Sequence, residues 1–144
     1  MDTKALAARW FEEVWNRHNP AAVNEFMHPE AVAETEGGTI VGPANFVEQM
    51  YVPLANAFPD IAVSVDAVIG EGDDAVVRWT ARTTHSAELA GIPASCKKVQ
   101  FSGMTWLRFK DGRIIEGWDR WNLNALLGLL ASGTTTATAK LQQE

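Results

Sequence analysis

A chain of 144 residues with a net charge of −6 is one domain, long enough to bury roughly 70% of its unfolded surface and to tolerate an internal cavity. The pI near 5 and the lack of a lysine or arginine run argue against nucleic-acid and anionic-membrane partners and leave a small neutral or apolar molecule as the expected ligand. Cys96 is the single cysteine, which excludes intrachain disulfides and multi-cysteine metal sites, and with no signal-peptide core and no run of about 18 apolar residues the expected location is cytoplasmic.

From Lys4 to His18 the residues Leu6, Ala7, Trp10, Phe11, Val14 and Trp15 recur at three and four, which predicts an amphipathic helix with Thr3 as N-cap. Asn19-Pro20 opens a second, short helix to about Met27 with Pro20 at its first position, and His28-Pro29 closes it. Ala31 to Ile40 reads as an irregular strand with a Gly37-Gly38 turn, its Glu34 and Glu36 able to reach a pocket mouth. Gly42-Pro43 starts a third helix whose Phe46, Met50, Leu54 and Phe58 are spaced at four. Pro53 inside it predicts a kink or break near Gln49 to Tyr51.

After Pro59-Asp60 the apolar period falls from 3.6 to 2, with Ile61, Val63, Val65, Ala67 and Ile69 alternating along a strand. Ala75 to His85 follows, with Val76, Arg78, Thr80 and Arg82 on one face and Val77, Trp79, Ala81 and Thr83 on the other. Gly91 to Lys98 is a loop, Val99 to Phe109 a strand, and Asn122 the N-cap of an apolar helix, Leu123 to Leu130. Residues 1–131 are the expected domain and 132–144 an expected mobile tail. Helices first and a meandering antiparallel sheet second make an α+β fold, the helices packed on one face of a curved sheet. Phe11, Trp15, Phe26, Phe46, Met50, Leu54, Phe58, Phe101 and Leu107 are expected to line its interior.

The chain turns on Asp111 to Asn122, DGRIIEGWDRWN, where Asp119 lies between Trp118 and Trp121. A carboxyl delivered into apolar surroundings holds its proton more tightly, which is how a general acid or base is made. On sequence alone Asp119 could equally face water. Asp111-Gly112 fits a two-residue turn or the end of a three-residue loop, Lys110 to Gly112. The two-residue turn sets Lys110 against Arg113, an unfavourable like-charge pair, so the longer loop is expected. It pairs Thr105 with Gly117, Gly103 with Asp119 and Phe101 with Trp121, leaving room beside the carboxyl at Gly103, Thr105 and Gly117.

Arg78 is the expected inward partner of Asp119, either lowering its proton affinity at the site or forming a buried ion pair without function. Met104, Trp106 and Trp118 fall on the outer sheet face, with Trp79 a candidate to join them, so a homodimer through that face is expected. His18, His28 and His85 are scattered without metal-ligand spacing, and no metal site is expected. His85 reads as a rim or turn residue.

The strings FEEVWNRHNPAAVNEFMHPEAV, GPANFVEQM with AFPD, VVRWTARTTHSAELAGIP and above all RFKDGRIIEGWDRWN resemble the SnoaL-like polyketide cyclases of the nuclear-transport-factor-2-like superfamily over about Leu6 to Leu130. The resemblance implies a cone-shaped α+β barrel and, at the position of Asp119, a general acid/base for aldol closure that works without metal or cofactor. It implies a histidine and a glutamine where this chain has Thr105 and Gly103, and an acid and a glycine in many relatives where it has Asn122 and Cys96. Limonene-type epoxide hydrolases of the superfamily use Asp-Arg-Asp, whereas Thr80 stands here for the second acid beside Arg78. The tyrosine that ketosteroid-isomerase-like chemistry wants has one counterpart, Tyr51, on the third helix.

Two functions therefore stand open. One is a cofactor-independent cyclase, isomerase, lyase or hydrolase acting on a small apolar cyclic molecule, with Asp119 and Arg78 catalytic and Phe11, Trp15, Phe46, Met50, Leu54, Phe101, Gly103, Thr105 and Trp121 around the substrate. The other is a ligand-binding or orphan domain without turnover.

Overall fold

Asp2, rather than Thr3, caps the first helix, its Oδ1 accepting the Ala5 amide at 3.1 Å. In the computed structural model, which describes residues 2–132 and 136–139, α1 (Thr3–Trp10) runs on into a π-helical segment, Phe11–Asn16. A 3-10 turn at Pro20–Ala22 leads into α2 (Val23–Phe26), and the hairpin β1 (Met27–Thr35) and β2 (Gly38–Val41) follows. The third predicted helix is α3 (Pro43–Phe46), a π-helical segment Val47–Tyr51 and α4 (Val52–Ala57). The break expected from Pro53 thus takes the form of a widened turn: with no N–H and a ring that crowds the preceding turn, Pro53 is accommodated where the helix expands.

The strands β3 (Ala62–Glu71), β4 (Asp74–Thr84), β5 (Lys98–Lys110) and β6 (Arg113–Trp121) join that hairpin in one sheet, whose order β2-β1-β6-β5-β4-β3 leaves β2 and β3 as edges. It is a six-strand curved, unclosed sheet wrapped around the N-terminal helices, an α+β fold. All these neighbours are antiparallel except β1 and β6, which run parallel. Asn122 caps α5 (Leu123–Ala131) as expected, accepting the Ala125 amide at 2.9 Å. Of the expected tail, 133–135 and 140–144 lie outside the described residues, while Thr136–Ala139 forms β7 and pairs in parallel with Lys98–Phe101 of β5.

Three strand expectations are corrected. In β3 a register shift at Asp66 reverses the alternation beyond Val65, so Val68 turns inward and Ile69 stands 72% exposed. In β4 the row Ala75, Val77, Trp79, Ala81 and Thr83 is buried and Arg78 is exposed. The large apolar area of Trp79 takes the interior, and the guanidinium opposite Met104 stays hydrated. The β5–β6 hairpin uses the two-residue turn after all, with positive φ at Asp111 and Gly112 and Lys110 opposite Arg113. Both side chains are exposed, so water screens the repulsion that was expected to forbid this pairing. A bulge at Ile115 then restores the inward parity, and Thr105, instead of Gly103, faces Asp119.

Candidate active site

The interior is aromatic. Trp10 packs on Phe26 and Phe46, Phe101 stacks on Trp121 at 5.1 Å between ring centroids, and Trp79 meets Phe11, Phe101 and Trp121. A cavity of about 80 Å³ remains between the helices and the inner sheet face. Of the residues expected around a substrate, Phe11, Trp15, Phe46, Met50, Leu54, Phe101, Thr105 and Trp121 line it together with Asp119. Phe11, Trp15 and Met50 project from the two π-helical segments, which meet where Trp15 packs on Tyr51 at 5.2 Å. Such widened turns recur at functional sites because they re-aim side chains out of helical register.

Gly103 plays a different part from the one expected. A Cβ there would lie 2.6 Å from both Trp121 Cβ and a ring carbon of Trp79, so the glycine lets the two tryptophans close over it and opens no space. Gly117 does line the cavity.

Asp119 is partly buried and is the one titratable side chain among the described residues of the lining, with the Thr105 hydroxyl a neutral polar group beside it. Thr105, 5% exposed, donates its hydroxyl to Asp119 Oδ1 at 2.6 Å and accepts the indole N–H of Trp79 at 2.9 Å. Burial pushes the Asp119 carboxyl up to about 6, against the opposing hydrogen bond from Thr105 and charge of Arg120, with the Glu36 charge raising it further. Arg120 is exposed and donates to the Asp119 carbonyl at 2.7 Å. Glu36, at the tip of the β1–β2 hairpin, accepts the Trp121 amide at 3.1 Å and so carries the β1–β6 ladder on past the end of β1 with a side chain.

Arg78 does not enter the site. It lies on the opposite face of β4, so the expected Asp119–Arg78 partnership is corrected by the phase of the strand. What the sequence reading missed is Trp79, which it held in reserve for the outer face. The continuous apolar row Ala75, Val77, Trp79, Ala81 was the available signal for the interior. His85 is likewise no rim residue: it is fully buried against Phe58, its Nδ1 accepts the Ser95 amide at 3.2 Å, and burial lowers its proton affinity.

Among the described residues no group of three His, Cys, Asp or Glu side chains is placed to hold a metal, and no helix is long and apolar enough to cross a membrane.

Comparison with known proteins bears on the fold and the family. AclR of Streptomyces galilaeus, provisionally described as a hydroxylase, is 31% identical over 89% of this chain and 94% of its own, with a TM-score of 0.77. A SnoaL-like polyketide cyclase, provisionally so described, from Jannaschia sp. CCS1 superposes with a TM-score of 0.84 at 22% identity, over 92% of this chain and 93% of its own. IdmH of Streptomyces antibioticus, provisionally described as a polyketide cyclase, gives 0.78 at 24% identity over 92% and 100%. No curated protein matches the sequence. The profile of the SnoaL-like polyketide cyclases matches residues 5–128, all the elements that build the cavity and its carboxyl, and the chain belongs to that family.

Proposed function

We propose that this protein is an acid/base enzyme for a small, neutral, largely apolar cyclic substrate, with Asp119 as its general acid/base. The observation that carries the reading is a lone carboxyl, pushed up to about 6, in a cavity walled, apart from the Thr105 hydroxyl, by aromatic and aliphatic groups. A group titrating near neutrality can both take and return a proton, which is the requirement for general acid/base work. A single such group favours reactions whose proton balance closes on the substrate, an aldol-type cyclisation or an isomerisation, over a two-carboxylate hydrolysis. The cavity of about 80 Å³ is below the about 300 Å³ at which drug-sized pockets begin, which favours a substrate of about one ring. An anionic substrate would sit against Asp119 and find no cation in the lining.

The test is exchange of α-protons of small cyclic ketones in heavy water, followed by NMR. Wild-type protein should catalyse exchange with a rate that rises as pH passes about 6 and Asp119→Asn should lose about a hundred- to ten-thousand-fold. Full exchange by the Asn variant would refute the assignment. The alternative, a ligand-binding domain without turnover, draws on Thr105 and Gly103: neither offers a free donor to a substrate oxygen, since the Thr105 proton is taken and Gly103 is covered. Tight binding of such ketones with no exchange above background would favour it.

We also propose that two copies pair through the outer sheet face. Met104 and Trp106 are 50% and 45% exposed there, beside the Trp106–Trp118 edge-on pair, an apolar patch that water disfavours. Light scattering should give a dimer at micromolar concentration and a monomer for Trp106→Arg. A monomeric wild type would overturn this.

A further inference from the structure

We infer that Trp79 and Thr105 form a one-way hydrogen-bond relay that commits Asp119 Oδ1 to accepting and leaves Oδ2 as the one oxygen that gains and loses a proton. The relay has a direction because of what each group can do. An indole N–H only donates, so Thr105 Oγ1 must accept at its 2.9 Å contact with Trp79. A threonine hydroxyl has a single proton, and among the described residues its one acceptor is Asp119 Oδ1 at 2.6 Å. Oδ1 is thereby held as an acceptor whether the carboxyl is charged or neutral. No hydrogen bond to Oδ2 is formed among the described residues, so a proton added to the carboxyl goes there, on a residue that lines the cavity.

The three strands supply this geometry from sequence. Val77 pairs with Thr105 and Thr105 with Asp119, so all three share the inner face, and Trp79 reaches Thr105 on the diagonal. That reach requires Gly103, because a Cβ at that position would strike the Trp79 ring. Trp79 and Thr105 are thus positioning residues. The charged groups around the carboxyl are Arg120 on β6 and Glu36 on the β1–β2 turn, and neither takes part in the relay.

This deepens the acid/base reading, since it names the atom that would face substrate, but its test needs no substrate. With carbon-13 in the aspartates and nitrogen-15 in the tryptophan indoles, Asp119 Cγ and the Trp79 N–H should titrate together, with a midpoint near 6. Thr105→Val should raise the Asp119 midpoint by about one pH unit, the size of a lost hydrogen bond to a charged group, and abolish the indole's titration. Thr105→Ser should restore both. Trp79→Phe should raise the midpoint by less than Thr105→Val does. An indole that still titrates in Thr105→Val, or an Asp119 midpoint there at or below the wild-type value, overturns the relay. Should Thr105→Val fail to fold, Asp119→Asn decides, because an indole midpoint near 6 that survives it has another source. A protein with no ketone exchange but an intact common titration would have lost the proposed activity and kept the relay.

Discussion

Two buried polar groups sit along β5 and its neighbours, and they are treated in opposite ways. Lys97, 5% exposed, enters just before the strand and spends its ammonium on α5: Nζ donates to the carbonyls of Leu129 and Leu130 at 2.7 and 3.1 Å, to that of Ser132, and to Ser132 Oγ at 3.2 Å. A helix C-terminus carries unpaired carbonyls and partial negative charge, so the cation and the helix end satisfy each other without a carboxylate. Asp119, in contrast, has one oxygen tied and one without a hydrogen-bond partner among the described residues. A buried charge whose bonding capacity is used up is scaffold, and one left partly unsatisfied beside a cavity is a candidate for chemistry.

Replacing Lys97 should therefore have the largest effect on stability. Lys97→Met keeps the aliphatic stem and removes the ammonium from the Leu129 and Leu130 carbonyls, while Leu129 keeps the amide and hydroxyl of Ser132. A loss of about 3 kcal/mol is expected from hydrogen bonds to a charged group less the relief of its desolvation. Urea denaturation at pH 8, where the His85 imidazole with its lowered proton affinity is neutral, should show the loss. A variant within about 0.5 kcal/mol of wild type, the range of ordinary surface substitutions, would mean that Lys97 is not the staple of α5.

Asp119 should do the reverse. Its carboxyl has a folded pKa of about 6 against 3.8 for the ordinary group, so folding favours the protonated form. The stability it contributes is full below about pH 3.8 and is lost as pH rises through about 6. The gap of about two units corresponds to up to about 3 kcal/mol. Asp119→Asn should match wild type near pH 4 and exceed it by up to that amount at pH 8. Equal stability at both pH values would show a solvated carboxyl. The residue proposed to work is then the one that costs stability at neutral pH, the usual exchange at a functional site.

The same division explains what could be read from sequence. Helices and the aromatics they carry inward were legible because burial of large apolar side chains at three-four spacing leaves few alternatives, and Pro53 announced the irregular turn within α3–α4. The carboxyl was legible from its tryptophan neighbours. Its surroundings were not, for two reasons. The bulge at Ile115 and the shift at Asp66 each insert a residue that changes strand phase, and nothing in a period-2 pattern marks where such a residue falls. The like-charge objection to Lys110 opposite Arg113 was true in sign and too small in size, since both side chains end in water and turn geometry outweighs a screened pair. With the phase of β4 mistaken, Arg78 stood in for Trp79, and the relay was invisible.

The smallest expected effect lies on the scaffold side, at the residue before Lys97. Cys96 has φ +58, exposed, with its amide on the His85 carbonyl at 2.8 Å and the His85 amide returning to the Lys97 carbonyl at 2.9 Å. That pair of bonds fixes the chain in the left-handed region, which costs a residue bearing a Cβ roughly 1–2 kcal/mol. For a glycine there the conformation would be free. Cys96→Gly should stabilise the fold, and the greater freedom of glycine in the unfolded chain takes back about 0.4–1 kcal/mol, leaving a gain of about 1 kcal/mol or less. Cys96→Ala separates backbone from thiol: with the Cβ retained and an exposed sulfur removed, it should leave stability unchanged. A gain from alanine as large as that from glycine would place the cost in the thiol, and a loss from glycine would show that the loop between β4 and β5 pays no penalty for its left-handed turn. Neither substitution should move the Asp119 titration, because the Cys96 side chain faces solvent and does not line the cavity.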